Sequence, residues 1–347
     1  MVVDVLVLGA GPAGCAAAIR AASCGLHVAL VEKKSFPRDL PGEALHPDVE
    51  QLFAELGVTR AISKAGFIRN PGWILERSGQ RSFVPFEGPS GLAFGYQAWR
   101  SKLDFLLLAH ARTVGVEIIQ PVSISQTLIR DGRYLVDASG SHRWLSRNLR
   151  LAVTDFSPRL VARYAYFRGE CELGIIPEFR EHACGWTWLA RVQNDLCQCV
   201  QLSLAANGQT PDPPAPFLGS RFRGADVTWR LVPECAGAGY FLCGDAAAML
   251  DPAASSGVAR ALASGLKAAD LIVQVAKKDM DSPTAAASYR EWSAHQFAGQ
   301  ARQLAARYAE LEEPPVWLRD LDHCLTQLEE VSSNPLANRE NSVITSS

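Results

Sequence analysis

The chain opens on an apolar run over residues 2–8, broken only by Asp4, which predicts a buried parallel strand. The alanine-rich stretch from Gly14 to Ser23 predicts a helix, and after Gly25 the run His27–Val31 predicts a second strand that ends at Glu32. Val49, Leu52, Phe53 and Leu56 recur at helical spacing, so residues 48–57 read as a helix stopped by Gly57. A further helix is expected over 101–114. Downstream, Tyr134–Val136 and Tyr240–Cys243 each deliver an aspartate, Asp137 or Asp245, into a turn of small residues. Between Val116 and Asp137 a strand over Ser123–Leu128 and a turn at 130–133 are expected. An alanine-rich helix should start near Ser256 and another should run over 283–312, with a break at Pro314–Pro315 and a last helix over 316–330. A long surface loop is expected over 207–216, and from Ser332 the polar composition predicts a tail without stable structure.

The turn between the first strand and helix reads Gly9-Ala-Gly11-Pro12-Ala13-Gly14. Glycines at this spacing permit a tight turn, close approach of the backbone to a pyrophosphate, and close helix packing, while the helix N-terminus supplies N–H donors. Glu32 stands where a carboxylate grips the ribose hydroxyls of a dinucleotide. Strand, glycine turn, helix, strand and terminal acid together predict dinucleotide binding. The two later strand-to-Asp turns would give a long, extended ligand further stations, at Asp137 with Gly140 and at Gly244-Asp245. The helix after Ser256 would aim its N-terminus at an electron-rich ring.

Composition narrows the classes. The 347 residues, 48% hydrophobic and 20% charged with a net charge of −2, suit a compact two-lobed protein and offer no electrostatic footprint for nucleic acid. No apolar stretch approaches the length of a membrane span and no basic region precedes the first strand, so no membrane association and a cytoplasmic location are expected. Nine irregularly spaced cysteines suggest reduced thiols. Cys197 and Cys199 would share one face of a strand, but no second Cys/His pair at zinc spacing accompanies them, so no metal site is expected.

The motifs GAGPAG, VDASG and FLCGDAAAMLDP resemble those of FAD-dependent monooxygenases and halogenases of the para-hydroxybenzoate hydroxylase type, over roughly residues 1–300. The resemblance implies an α/β fold: a Rossmann-like FAD-binding lobe of GR2 type over 1–75, 95–150 and 235–280, and a mixed-sheet substrate lobe over 76–94 and 151–234. C-terminal helices over 281–331 and the polar tail 332–347 complete it. It further implies FAD held by Gly9, Gly11, Pro12, Ala13, Gly14, Glu32, Lys33, Arg38, Glu43, Arg100, Asp137, Gly140, Gly244, Asp245, Pro252, Gly257 and Val258. The loop Pro41-Gly42-Glu43-Ala-Leu-His46-Pro47 resembles the flavin-side loop of the halogenase branch, making Glu43 and His46 candidate catalytic groups. Histidine as a residue type exchanges protons near neutral pH, so His46 is the candidate for proton movement, with Glu43 and Asp251 to orient it or the ring. Trp186-Thr-Trp188 resembles a tryptophan-halogenase signature, and two rings sharing a strand face could bind an aromatic substrate or serve as core.

Two departures matter. Halogenases of this type use a lysine some 35 residues beyond the Gly-Glu pair, and Gly66–Trp73 contains none, Lys64 being the nearest. The loop 251–257 keeps one glycine where many relatives have two. The segments PGEALHP, GYQAWR (with Gln97 and Arg100) and VDASGSHRWL look most like flavoproteins that hydroxylate a tryptophan of a partner protein during tryptophylquinone cofactor biogenesis. That resemblance implies molecular oxygen and a precursor oxidase or dehydrogenase as partners, with FAD reduced by NAD(P)H directly or through a flavin reductase. The alternatives are a hydroxylase or halogenase of a small indole-type molecule, and a non-catalytic flavoprotein chaperone of an immature oxidase.

Overall fold

In the computed structural model the described residues are 3–38, 40–88, 91–123, 132–170, 172–205, 208 and 210–333. Residues 124–128 of the expected strand, 130 and 131 of the expected turn, part of the loop 207–216, and the tail beyond 333 lie outside them. Residues 132 and 133, expected in that turn, instead begin the strand Gly132–Asp137, extended by its pairing with Val3–Leu8. The first strand, β1 (Val3–Leu8), is followed by helix α1 (Pro12–Ser23) and strand β2 (Val28–Val31). β1 pairs in parallel with β2 on one side and with Gly132–Asp137 on the other. The sheet is six-stranded, in the order 117–119, β2, β1, 132–137, 240–242, 236–237, and only its last pairing is antiparallel. Five of the six residues of β1 are buried because both faces of the sheet are covered, which explains the unbroken apolar run. Register aligns Leu8 with Val31 and Asp137, and Asp137 with Leu242, so the residues that follow each strand emerge on one edge.

Helix α1 lies against the long helix Gly257–Ala276, and small residues make the contact possible. A Cβ on Gly265 would lie 2.2 Å from the Ala13 carbonyl oxygen, so the two backbones nearly touch. Arg20 and Asp270 clamp the same pair of helices at 2.6 Å.

A second, seven-stranded sheet runs in the order 223–226, 161–168, 196–203, 185–193, 178–182, 72–77, 80–85 and is mixed, since 178–182 and 72–77 pair in parallel. Opposed residues share a face. Tyr166 opposes Gln198, which opposes Ala190, while Trp188 opposes Phe179, so Tyr166, Gln198, Trp188 and Phe179 stand on one face. The helix Ser282–Ala309 covers part of that face, with Phe297, Tyr308 and Trp229 in the core beneath it. The opposite face carries Ala165, Leu189, Cys197 and Cys199 against Phe217. Cys197 is disulfide-bonded, which corrects the expectation of nine reduced thiols; one bridge among nine irregularly spaced cysteines leaves no mark in the spacing. The last expected helix is a short turn at Val316–Leu318 and then Leu321–Ser333. Among the described residues no helix is long and apolar enough to cross a membrane, and no cluster of three His, Cys, Asp or Glu could hold a metal ion.

Candidate functional site

The three motifs meet at the carboxyl edge of the six-stranded sheet. A Cβ on Gly9 would lie 2.5 Å from the Ala138 carbonyl oxygen, and one on Gly14 would lie 1.9 Å from that of Gly9. Gly244, at φ +60°, sits against the Ala13 and Ala261 methyls, at 3.2 and 3.4 Å from where its Cβ would be. The turn therefore requires glycine at these places, and it brings Asp245 beside the start of α1. No side chain caps α1 at Gly11, which leaves the helix N-terminus for a ligand. Buried Glu32 accepts the Ala10 and Lys34 amides at 2.9 Å, and Arg38 donates to it at 2.9 Å. Arg38 also stands 3.5 Å from the Cβ position of Gly11, so a cation lies over the glycine turn. Arg38 Nε, Gln97 Oε1 and Arg260 Nε are buried without a hydrogen-bond partner. A glycine cradle, an uncapped helix start, a buried acid and cations with free donors fit the ADP portion of FAD. Lys33, by contrast, is exposed beside Glu32.

Asp137 departs from its expected role. It is fully buried and accepts the amides of Ser139 (2.9 Å) and Leu145 (2.7 Å), so it shapes the turn through Gly140 instead of reaching a ribose or ribityl hydroxyl. Burial raises its carboxyl above the ordinary range, against the pull of those amides. Asp245 remains half-exposed at this edge, 3.7 Å from buried Arg260.

The loop 41–47 joins the two sheets. Ala44–Leu45 pair with Gly95–Gln97, and Arg100 grips the loop by donating to the Pro41 carbonyl at 3.1 Å while holding Asp104 with two bonds of 2.8 and 3.0 Å. Glu43 crosses to the seven-stranded sheet, where it is completely buried. It accepts the Tyr166 hydroxyl and the Gln198 amide, both at 2.5 Å, and the Gly42 N–H at 2.9 Å. Burial raises its carboxyl, while Tyr166, Gly42 and the Arg100 charge oppose that shift. Glu43 makes no bond to His46. His46 is instead paired with Asp48 at 3.0 Å and set edge-on to Phe86 at 4.9 Å, its ring partly open to solvent.

The loop 251–257 also differs from expectation. Asp251 points inward, accepting Trp229 Nε1 and the Tyr308 hydroxyl at 2.7 Å and the Ala253 N–H at 2.9 Å, so it orients core groups and neither His46 nor a ring. Tyr308 in turn accepts Trp186 Nε1 at 2.9 Å. Trp186 is thereby a core residue, stacked on Phe179 at 5.4 Å, and its expected role at the substrate is corrected. Trp188 is half-buried behind Phe179 at 6.5 Å. Pro252 and Gly257 are exposed and Val258 is buried, so the loop's outer surface and the helix start at Gly257 face outward.

The aromatic wall lies elsewhere. A cavity of about 360 Å³ opens between the strands 72–77 and 178–182 and the helix Ser282–Ala309, lined by Trp73, Leu75 and Phe179 with Arg307 above them and Arg77 and Glu310 at one end. Trp73 touches Phe86 at 5.3 Å, and Phe86 touches His46. Arg307 donates to the Ala253 carbonyl at 3.2 Å. The loop 251–257 thus touches the cavity lining directly at Arg307, and the loop 41–47 approaches it through Phe86, which packs on the lining residue Trp73. Sequence reasoning missed Tyr166, Gln198, Phe86, Phe179 and Arg307, because each acts across sheets or between a sheet and a helix far off in the chain.

This architecture is that of FAD-binding flavoproteins of the flavin-dependent halogenase and monooxygenase type. Residues 4–38 match the family described as FAD binding domain. The chain is 29% identical over 342 residues to the 1H-pyrrole-2-carbonyl-(peptidyl-carrier protein) brominase of Pseudoalteromonas luteoviolacea, covering 84% of this chain and 82% of that protein. In fold it is similar to the myxobacterial chondrochloren halogenase CndH, with a TM-score of 0.77 at 21% identity over 98% of this chain and 91% of the other. It is also similar to the peptidyl tryptophan dihydroxylase QhpG, essential for tryptophylquinone cofactor biogenesis, with a TM-score of 0.69 at 21% identity over 92% of this chain and 78% of the other. The fold is shared by halogenases and a tryptophylquinone-maturing flavoprotein alike, so it does not bear out the narrower resemblance, and relatives matched by sequence, such as the Pseudoalteromonas brominase, are halogenases.

Proposed function

We propose that the chain is an FAD-dependent oxidoreductase of halogenase type acting on an electron-rich aromatic ring, pyrrole- or indole-like, that enters the cavity beside Trp73 and Phe179. The observation that carries this is the position of the cavity, bordered through Phe86 by the His46 loop and through Arg307 by the 251–257 loop. Gly9, Gly11, Gly14 and Glu32 would hold the ADP part of FAD, and Asp245 and the Gly257 helix start the remainder. Once bound and reduced, FAD would supply activated oxygen, either to oxidise a halide or for insertion into the ring. The chain's own residues do the rest. Arg100 and Glu43 fix the loop between cofactor and cavity, Trp73 and Phe179 exclude water and orient the ring, and His46, partly open to solvent and held by Asp48, passes protons between the site and bulk water. Reducing equivalents would reach FAD from NAD(P)H, directly or through a separate flavin reductase.

A second reading, oxygen insertion into an indole such as a tryptophan of a partner protein, is favoured by one observation. Residues 65–101 and 103–266 contain no lysine, so the seven-stranded sheet offers none to carry activated halogen. In the stretch 66–73, Arg69 is bound to Glu50, Tyr96 and the Gly95 and Phe94 carbonyls, and Asn70 is buried. The test is product mass. FAD-loaded protein is supplied with a flavin reductase, NADH, oxygen and bromide, together with indole and pyrrole carboxylates or a tryptophan-containing peptide. Bromine's isotope doublet supports halogenation, a gain of one or two oxygens supports the second reading, and unmodified probes with full flavin turnover contradict both.

A further inference from the structure

We propose that Arg307 makes the cavity selective for aromatic substrates bearing a free carboxylate. The assignment rests on the cavity being the substrate site. Two cations line it, and they differ in what surrounds them. Arg77 is bracketed by Glu181 and by Glu310 at 3.1 Å. Arg307 is within ion-pair distance of no carboxylate among the described residues, and its one hydrogen bond goes to the Ala253 carbonyl at 3.2 Å. The buried Asp251 carboxylate feels its charge, but Asp251 is already bound to Trp229, Tyr308 and the Ala253 N–H. The guanidinium lies 5.4 Å from the Phe179 centroid and 6.0 Å from that of Trp73. Two aromatic walls therefore meet beneath a planar cation that keeps most of its five N–H donors.

A cation held in place by aromatic faces, with a backbone oxygen as its only hydrogen-bond acceptor, suits a carboxylate presented on the edge of a flat ring. The fork geometry adds direction, since a two-pronged bond to a carboxylate fixes the ring's rotation between Trp73 and Phe179. A pyrrole-2-carbonyl group attached to a carrier protein, the substrate in the name of the Pseudoalteromonas brominase, presents no such anion at the ring edge. Arg307 accordingly selects a freely diffusing acid, or the C-terminal residue of a peptide.

Calorimetric titration of the FAD-loaded chain with indole-3-acetate and with its neutral isostere indole-3-acetamide tests this directly. The acetate is expected to bind more tightly by roughly tenfold or more, the usual difference for a charge-assisted hydrogen bond. Arg307→Gln should bring the two affinities together by weakening only the acetate, and Arg307→Lys should restore part of the preference. Equal binding of both probes to the unsubstituted chain, or an acetate preference that survives Arg307→Gln, overturns the assignment while leaving the cavity as an aromatic site. Binding of neither probe overturns the cavity as the substrate site and the Arg307 assignment with it. The comparison in the unsubstituted chain stands even if a variant fails to fold.

Discussion

Glu43 shows what a single residue can and cannot announce. Its place before a helix and after a glycine was legible as a flavin-side carboxylate, but Tyr166 and Gln198, which enclose it, lie more than a hundred residues away and follow no motif. Its burial makes a pH prediction. In the unfolded chain the carboxyl loses its proton at the ordinary value, while in the folded chain burial holds the proton to higher pH. The stability it contributes is therefore full below the ordinary carboxylate range and is lost as pH rises through the raised value. Glu43→Gln removes this titration and leaves one acceptor oxygen where two now accept, so an amide N–H₂ faces either the Gly42 and Gln198 donors or the Tyr166 hydroxyl. Urea unfolding should show the variant less stable by about 1–3 kcal/mol at acidic pH, with the gap narrowing as pH rises. A gap that widened toward alkaline pH would exclude the raised carboxyl. Gly14 was legible from sequence alone, and the structure adds the reason: a Cβ there would meet the Gly9 carbonyl oxygen at 1.9 Å. Gly14→Ala must move the turn backbone, and gel-filtered protein should retain less than about a tenth of the FAD bound by the unsubstituted chain, a loss on the scale of overpacking a tight site.

At the level of elements, the parallel strands and their helices were readable because apolar runs, glycine turns and alanine-rich stretches encode local geometry. Helix Ser282–Ala309 was expected almost to its ends, yet what it does was not visible. Its Tyr308 ties Trp186 of the seven-stranded sheet to Asp251 of the loop beside the cofactor edge, and one turn face of the same helix presents Arg307 to the cavity. Asp251, Trp229, Trp186 and Tyr308 form one buried chain of hydrogen bonds, so removing a member leaves its neighbours unsatisfied. Tyr308→Phe should lower unfolding free energy by about 1–3 kcal/mol, as read from denaturant melts, because the Trp186 N–H and one Asp251 oxygen both lose a partner. Trp186→Phe should likewise cost stability, with little change in indole-3-acetate affinity, whereas Trp73→Ala should weaken that affinity and leave stability less affected. If the two substitutions exchanged these effects, Trp186 and not Trp73 would be the ligand's wall.

On the scale of the whole molecule, the loop 41–47 joins the two sheets through Glu43, and the loop 251–257 is tied to the helix Ser282–Ala309 through Arg307 and Tyr308. The convergence of three distant motifs on one sheet edge could be anticipated from their shared strand-to-turn form. The cavity could not, because its aromatic and charged lining comes from residues 73, 179 and 307, which alternate with core positions in three separate elements. The central claim is that cofactor and cavity work together on one aromatic ring. Its most direct test is the coupling ratio, modified ring formed per reduced FAD oxidised, measured with bromide, oxygen and a panel of indole and pyrrole carboxylates. The unsubstituted chain should convert a substantial share of reduced FAD into modified ring, and Trp73→Ala should oxidise reduced FAD as fast while forming little product. Rapid oxidation of reduced FAD by the unsubstituted chain with no ring modified in any of these probes would contradict the account.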